Sequence, residues 1–293
     1  MYGHFLLDSG FWILTTEPLR IIHMDVLEEK YRRLKEALRV YGSLLVAYSG
    51  GIDSALLLKV AHDELGDQAL GVIGDSPSLA RSELRHAHRF AQEIGARMKV
   101  VGSRELDDPG YAKNPSDRCY YCKAELYHQL QAVAREEKLA VIANGANVDD
   151  LEDYRPGHQA ADEYRVVSPL KEAGFTKQDI RLLAQRLGLA IWDKPASPCL
   201  ASRIPYGEAI STEKLKQVEL AEECLRALGI RELRVRHFGK QAMIEVHSED
   251  FPILERNREA IEYRFRELGF LEVEKRPFRS GILNDSLKTG PDP

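Results

Sequence analysis

Two groups of residues in this chain have types and spacing that could do chemistry. The first is the run Tyr48-Ser49-Gly50-Gly51-Ile52-Asp53-Ser54. Adjacent glycines let the backbone approach an anion closely, and a helix starting beyond them aims unpaired N–H groups and the positive end of its dipole at that anion. Ser49 and Ser54 add hydroxyl donors. Asp53 repels phosphate, so its place in the run implies a bridging Mg2+. No Gly-Lys-Ser/Thr follows, so this is not a Walker loop, and the dinucleotide spacing is absent as well. A plain glycine-rich turn with aspartate as the helix cap is the competing reading. The complete run behind the apolar Leu44-Leu45-Val46-Ala47 favours a nucleotide site.

The second group is made of thiols. Cys119-Tyr120-Tyr121-Cys122 stands just before a predicted helix, and Cys199 lies in Pro195-Ala196-Ser197-Pro198-Cys199-Leu200-Ala201-Ser202-Arg203. Both segments flank loops expected on one edge of the fold, where the three thiols could meet. A redox pair lacks its thioredoxin-like context. A structural zinc ion asks for four protein ligands, and no convincing fourth is present. Three thiolates on an iron–sulfur cluster would leave one iron open, a place to carry an exogenous sulfide. A lone sulfur-donating Cys199, zinc and plain packing stay open beside the cluster. Cys224, beside Leu225 and Leu228 on an amphipathic helix, reads as structural.

Such groups need a scaffold that gathers distant segments at one edge. After an amphipathic helix at Val26–Val40, strand patterns at Leu44–Tyr48, Ala69–Ile73, Arg97–Val101 and Ala140–Ala143 alternate with helical ones at Ser54–Leu65, Ala80–Ile94 and Lys123–Glu137. This predicts an α/β fold with a parallel sheet covered on both faces and its strand-end loops aligned. Asp75 ends the second strand at that edge, and Ala143-Asn144-Gly145-Ala146-Asn147-Val148-Asp149-Asp150 ends another. Asp149 and Asp150 read equally well as helix caps and as nucleotide or Mg2+ ligands. Arg155 follows, where it could reach a phosphate. Thr176–Leu187 reads as a helix capped by Gly188, and 195–205 as a loop. Then the period changes. Helix Thr212–Leu228, strands Arg231–His237 and Met243–His247, helix Pro252–Leu268 and strand Leu271–Arg276 predict a small α+β domain. The expected division is an extension over 1–23 with Met24 as the natural start, a nucleotide domain over 24–207, the small domain over 208–285 and a disordered tail over 286–293.

Composition narrows the partners. At 293 residues, 44% of them apolar and 30% charged, the chain has the balance of a globular protein and the length for one large and one small domain. A formal charge of −5 gives no global pull toward nucleic acid. No run of about 18 apolar residues occurs, so no membrane-spanning helix is expected. The N-terminus lacks the basic lead of a secretory signal, and a large chain with few cysteines has no need of disulfides, which predicts a cytoplasmic location.

Taken together, the motifs resemble the PP-loop ATP pyrophosphatases and, within them, the LarE family of ATP-dependent sulfur transferases, over nearly all of residues 25–285. The resemblance is carried by Ser49–Ser54, Cys119–Lys123, Asn144–Asp150, Tyr154-Arg155-Pro156-Gly157, Ser168-Pro169-Leu170 and Trp192-Asp193-Lys194-Pro195. Its most specific part is Cys199-Leu200-Ala201-Ser202-Arg203-Ile204-Pro205-Tyr206-Gly207 with the small C-terminal domain. It implies that Ser49, Gly50, Gly51, Asp53, Ser54, Asp75, Asn147, Asp150 and Arg155 hold ATP and Mg2+, with Asp75 toward the adenine. The implied substrate is pyridinium-3,5-biscarboxylic acid mononucleotide, whose carboxylates are adenylated and become thiocarboxylates on the way to a nickel-pincer cofactor. Cys199 then supplies or ligates the sulfur. Members with that cysteine alone sacrifice it to dehydroalanine, whereas Cys119 and Cys122 resemble those of members that hold a [4Fe-4S] cluster on three thiolates and turn over. The substrate's phosphate points to Arg234 and Arg236, two residues apart on one strand face, with Glu223 and its neighbour Glu222 as weaker contacts. A solvated strand face is the competing reading of the arginines. The resemblance also implies a homo-oligomer, a trimer or hexamer. Two other chemistries share the loop. A tRNA thiolase is disfavoured by the negative charge and the lack of an RNA-binding module, and an ammonia-using synthetase of the NAD or GMP synthetase type has no use for three cysteines.

Overall fold

The computed structural model describes residues 17–151 and 156–279. Arg155, most of the expected extension and the expected tail lie outside the described residues. Helix α1 (Glu17–Tyr41) leads into strand β1 (Leu44–Ala47), followed by α2 (Ile52–Leu65), β2 (Ala69–Asp75), α3 (Arg81–Glu93) and β3 (Arg97–Gly102). The short α4 (Pro109–Ala112) and the long α5 (Arg118–Glu136) return the chain to β4 (Val141–Ala143), and α6 (Gly157–Glu163), α7 (Pro169–Glu172) and α8 (Lys177–Arg186) close this body. The strands form a parallel sheet in the order β3-β2-β1-β4.

Strand β1 sits inside because every one of its residues is apolar and buried. Leu44 and Val46 join a core with Leu34 and Leu38 of α1, Leu57 of α2 and Leu183 of α8. Leu45 and Ala47 join the opposite core, built with Tyr127 and Leu130 of α5 and Ala160 of α6. Period-two alternation thus covers both faces, as a parallel sheet requires. The order also fixes where a ligand can sit. β1 is flanked by β2 on one side and β4 on the other, so the winding reverses between β1 and β4 and a crevice opens at their carboxyl ends.

The second body consists of α9 (Thr212–Ala227), β5 (Leu233–Phe238), β6 (Gln241–Val246), α10 (Phe251–Arg256), α11 (Arg258–Glu267) and β7 (Glu272–Pro277). β5 runs antiparallel to β6, and β7 parallel to it. Leu233 and Val235 pack on Leu225, Leu254, Phe265 and Phe270, which leaves Arg234 and Arg236 on the other side of the strand. Helix α9 belongs to both bodies. Its Leu215 and Val218 pack with Leu200 and Ile204, while Ala221 and Leu225 serve the C-terminal core. Among the described residues no helix is long and apolar enough to cross a membrane.

The expected elements recur with four differences. The first helix begins at Glu17 rather than Val26. The fifth begins at Arg118, so Cys119 and Cys122 occupy its first turn rather than the loop before it. Arg118 and Tyr120 N–H donate to the carbonyls of Pro115 and Asp117, at 3.1 and 2.8 Å, which starts the helical winding early. The stretch 252–268 is two helices that meet at Asn257, whose backbone N–H and side-chain amide both donate to the Ile253 carbonyl, at 3.2 and 2.8 Å. Finally, the 195–205 segment contains a 3-10 turn over Leu200–Arg203.

A buried ion pair joins the bodies. Arg203 Nε donates 2.7 Å to Glu222 Oε1, with side chains only 3% and 0% exposed. Glu222 also accepts from Arg226 at 2.7 Å and from Val235 N at 3.1 Å, which caps the open edge of β5. Burial alone would raise the Glu222 carboxyl, but the charge and hydrogen bond of Arg203, then Arg226, outweigh it and hold the group below the usual glutamate range. Removing one member of such a pair strands a buried charge, so Glu222→Ala is expected to lose about 3–5 kcal/mol in urea unfolding. A carboxyl lowered on folding contributes its stability above the unfolded value of about 4.3 and loses it as pH falls through the folded one. Wild-type stability should therefore fall more steeply on acidification than that of Glu222→Gln.

Candidate active site

The glycine run occupies the crevice at the end of β1. Ser49 N donates 3.1 Å to Ser54 Oγ, Ser49 Oγ lies 3.1 Å from the same hydroxyl, and Ser54 Oγ donates 3.1 Å to the Gly51 carbonyl. These bonds bend the backbone into a cup at the N-terminus of α2. Gly50 has φ +73° and lies against α3, where a Cβ would meet Ala87 Cβ at 3.2 Å. The loop after β4 closes on the same point. A Cβ on Gly145 would stand 2.7 Å from Ser54 N and 3.0 Å from Ser54 Cα. Only glycine lets these two segments touch.

Asp53 lies at this crevice with both carboxylate oxygens held by Lys177 Nζ, at 2.7 and 2.6 Å. Lys177 opens α8, whose backbone N–H at the same residue donates 2.8 Å to Asp149 Oδ2. Asp150 is buried and accepts 3.0 Å from Asn147 N, and the Asn147 side chain accepts 3.0 Å from Asp149 N. Asn147, Asp149 and Asp150 thus build the β4 loop through capping bonds. Asp75 ends β2 at the same edge and is paired with Arg81. The structure therefore brings Ser49, Gly50, Gly51, Asp53, Ser54, Asn147 and Asp150 together, with Asp75 one strand away.

Cys199 is exposed at the head of the 3-10 turn. Leu200 N donates 2.8 Å to the Ser78 carbonyl, and Arg203 Nη1 donates 2.8 Å to Pro198 O and 3.3 Å to Cys199 O. Asn114 brings the other cysteines here. Its backbone is left-handed, φ 55°, and its buried side-chain amide donates to the carbonyls of Ile204, Pro205 and Glu208 at 3.2, 2.7 and 3.0 Å. Its Oδ1 accepts 2.9 Å from Arg118, the residue before Cys119. Cys122 packs against the cluster of Tyr111, Leu200 and Ala201, next to the Cys199 segment. Burial lowers the Lys123 pKa, and Tyr127, Cys122, Cys119 and Cys199 together leave it raised. Burial, and after it the Glu105 carboxylate, push the Cys122 thiol well above its ordinary value, with Lys123 opposing. Among the described residues, however, no three His, Cys, Asp or Glu side chains close into a metal-binding group. The donor set has the chemistry of an iron–sulfur site without its closed geometry.

Between the bodies lies a cleft of about 630 Å3, walled by α3, the 190–197 segment and the start of β5. Arg89, Lys194, Arg203, Arg226, Arg231 and Arg234 line it with Glu83, Glu93, Asp193 and Glu232, so cations outnumber carboxylates although Lys194 and Arg231 pair with Glu83 and Asp193. Arg234 is buried, its guanidinium 4.8 Å over the Phe278 ring, and burial followed by Arg203 and Arg236 lowers its pKa. Arg236 is spent internally, donating 2.9 Å to Glu245 and 2.7 Å to the Ser202 carbonyl. Of the two expected arginines, Arg234 lines the cleft and Arg236 does not, and neither does Glu223. Sequence reasoning missed Lys177, Asn114 and the contacts of Lys194. Lys177 did leave a signal, because a lysine in the first turn of a helix sits at the wrong end of its dipole and must answer another charge.

No family model matches the chain. It is 43% identical over 266 residues, 89% of its length and 99% of the relative's, to an uncharacterised protein of Synechocystis sp.. It is 37% identical over 270 residues, 90% of its length and 97% of the relative's, to the pyridinium-3,5-bisthiocarboxylic acid mononucleotide synthase of Lactiplantibacillus plantarum. The chain belongs to the LarE family of ATP-dependent sulfur transferases. A weaker likeness, 28% over 191 residues covering 58% of this chain and 59% of the relative, to a component of the glutamine-hydrolysing GMP synthase of Methanococcus maripaludis fits a PP-loop body beneath the LarE-specific parts. The cup at α2 is the candidate phosphate loop of this LarE chain. Gly145→Ala should overpack it by about 1–3 kcal/mol and weaken ATP binding roughly 10- to 100-fold in calorimetric titration.

Proposed function

We propose that the chain adenylates the carboxylates of pyridinium-3,5-biscarboxylic acid mononucleotide and converts them to thiocarboxylates. The observation that carries this reading is the junction of the phosphate loop, the Cys199 segment and a basic cleft within one LarE-family chain. ATP lies with its pyrophosphate half in the Ser49–Ser54 cup. Asp53 would hold the Mg2+ that accompanies the nucleotide, which would offset phosphate charge there, and Lys177, now paired with that carboxylate, would be released to the phosphates. Asp75, Asn147, Asp150 and Arg155 complete the nucleotide contacts. The substrate's phosphate is held by Arg234, which lines the cleft with its guanidinium over the Phe278 ring.

A substrate carboxylate oxygen attacks the α-phosphorus, the bond to pyrophosphate breaks, and an acyl adenylate forms. A sulfur nucleophile then attacks the acyl carbon, and the electron pair of the C–O bond leaves with AMP. Where Cys199, exposed at the head of its turn, is that nucleophile, the product is a thioester, and loss of the Cα proton breaks the Cβ–Sγ bond, which releases the thiocarboxylate and leaves dehydroalanine at 199. A [4Fe-4S] cluster on Cys119, Cys122 and Cys199 is the form of the site that three cysteines support over one, and it would supply sulfide at an open iron. A cytoplasmic, homo-oligomeric enzyme completes the reading.

The roles separate experimentally. Asp53→Asn should cut substrate-dependent pyrophosphate release by about a hundredfold or more, since it removes charge stabilisation at the reacting phosphate. Cys199→Ala should keep that release and form no thiocarboxylate. Normal turnover in either variant overturns the assignment. Protein purified without oxygen should carry about four irons per chain, lost in Cys119→Ala, if the cluster reading holds. Iron-free protein that still forms thiocarboxylate removes the cluster.

A further inference from the structure

The segment carrying Cys199 is anchored on the phosphate loop by a residue that the scheme above does not use. Lys194 Nζ donates 2.9 Å to the Gly50 carbonyl and 2.6 Å to Glu83. The lysine and glutamate side chains are 17% and 18% exposed, so this is no loose surface pair. Arg181 of α8 grips the same segment from the other side, donating 2.8 Å to Trp192 O and 3.0 Å to Lys194 O. Downstream, Leu200 N is fixed 2.8 Å from Ser78 O. Only Pro195-Ala196-Ser197-Pro198-Cys199 lies between the anchors, and each proline ring fixes one φ. A span so short and stiff carries a displacement of Lys194 to Cys199.

The Gly50 contact also sets the polarity of the cup. In a planar peptide the C=O and N–H point opposite ways. The Gly50–Gly51 peptide has glycine on both sides and no Cβ to keep it from turning over. Drawing the Gly50 oxygen out toward Lys194 turns the Gly51 N–H inward, where it lies 3.4 Å from Ser49 Oγ.

We propose that Lys194 is the positioning residue that couples adenylation to sulfur transfer. It orients the phosphate loop and, through the same contact, registers the Cys199 segment on the adenylate. The proposal rests on the functional reading above. An enzyme without this coupling forms the acyl adenylate and loses it to water: the water oxygen attacks the acyl carbon, AMP departs, and the carboxylate returns with ATP spent as AMP and pyrophosphate.

The test compares full-length wild type, Lys194→Met, Lys194→Arg and Arg181→Met with Mg-ATP and the dicarboxylated mononucleotide, measuring pyrophosphate and thiocarboxylate in one reaction. Lys194→Met should raise KM for ATP about tenfold, the size of one charge-assisted hydrogen bond, and lower the thiocarboxylate formed per pyrophosphate. Lys194→Arg should restore part of both. Arg181→Met leaves the phosphate-loop contact in place, so it should keep KM for ATP and still lower the ratio. It tests the coupling even where Lys194→Met does not fold. A ratio equal to wild type in both methionine variants overturns the coupling, whatever the rates. Absence of substrate-dependent pyrophosphate release in the wild type overturns the functional reading and the coupling with it.

Discussion

Between residue 145 and the first turn of α2 there is room for a hydrogen atom and nothing larger. With a Cβ at that point only 2.7 Å from Ser54 N, the β4 loop could not close on the helix that opens the phosphate cup. The closure is what makes the crevice of a doubly wound sheet into a site. It brings Asn147, Asp149 and Asp150 to the end of β1 and, through the Asp149 cap on Lys177 N, fixes where α8 begins. The start of α8 in turn places Lys177 on Asp53. A single backbone contact therefore positions the anion cup, its carboxylate and that carboxylate's counter-charge.

The sulfur side depends on a different kind of constraint. Cys199 sits on a segment with little core of its own, whose neighbours from Ala196 to Pro198 are exposed. Its order comes from groups that reach in from elsewhere. Arg203 binds the Pro198 and Cys199 carbonyls and is itself locked to Glu222, so the ion pair that joins the two bodies also holds the thiol. Asn114 does the same for the residues just after, and through Arg118 it sets the first turn of α5 with Cys119 and Cys122. Buried polar groups seldom add much net stability, but they choose one arrangement among many. Here they choose the one in which Cys122 packs against the segment that carries Cys199.

Much of this was legible in the residues. The four parallel strands, the helices between them and the β5-β6-β7 sheet follow from period and punctuation, because burial on two faces leaves long apolar runs that few other folds produce. The glycine cup and the cysteines were legible because their chemistry is uncommon. What escaped were elements of four to seven residues, α4, α6 and α7, too short to show a helical period, and contacts that exist only after folding. Asn114 reads as a turn residue, and nothing local shows that its amide meets three carbonyls some ninety positions later. Arg234 and Arg236 share a strand face as their spacing requires, yet Glu245 on the next strand engages one and leaves the other facing the cleft. Spacing assigns a face; cross-strand neighbours decide which side chain on it stays free.

Net charge is a poor guide to this site for the same reason. A chain with a formal charge of −5 places Lys177, Lys194, Lys123, Arg203 and Arg234 around one junction. Most of them face a carboxylate or a carbonyl, which limits the repulsion among buried cations. The arrangement differs along the site. At the phosphate loop the cations are lysines, and Lys177 is a compact charge that one carboxylate holds and a divalent ion can displace, while Lys194 is tied to both Gly50 and Glu83. At the cleft and between the bodies they are arginines, whose planar forks lock to Glu222 and Glu245 or lie flat on Phe278. The exchangeable charge, Lys177, thus stands where a metal nucleotide must enter and leave, and the fixed ones where segments must keep their register.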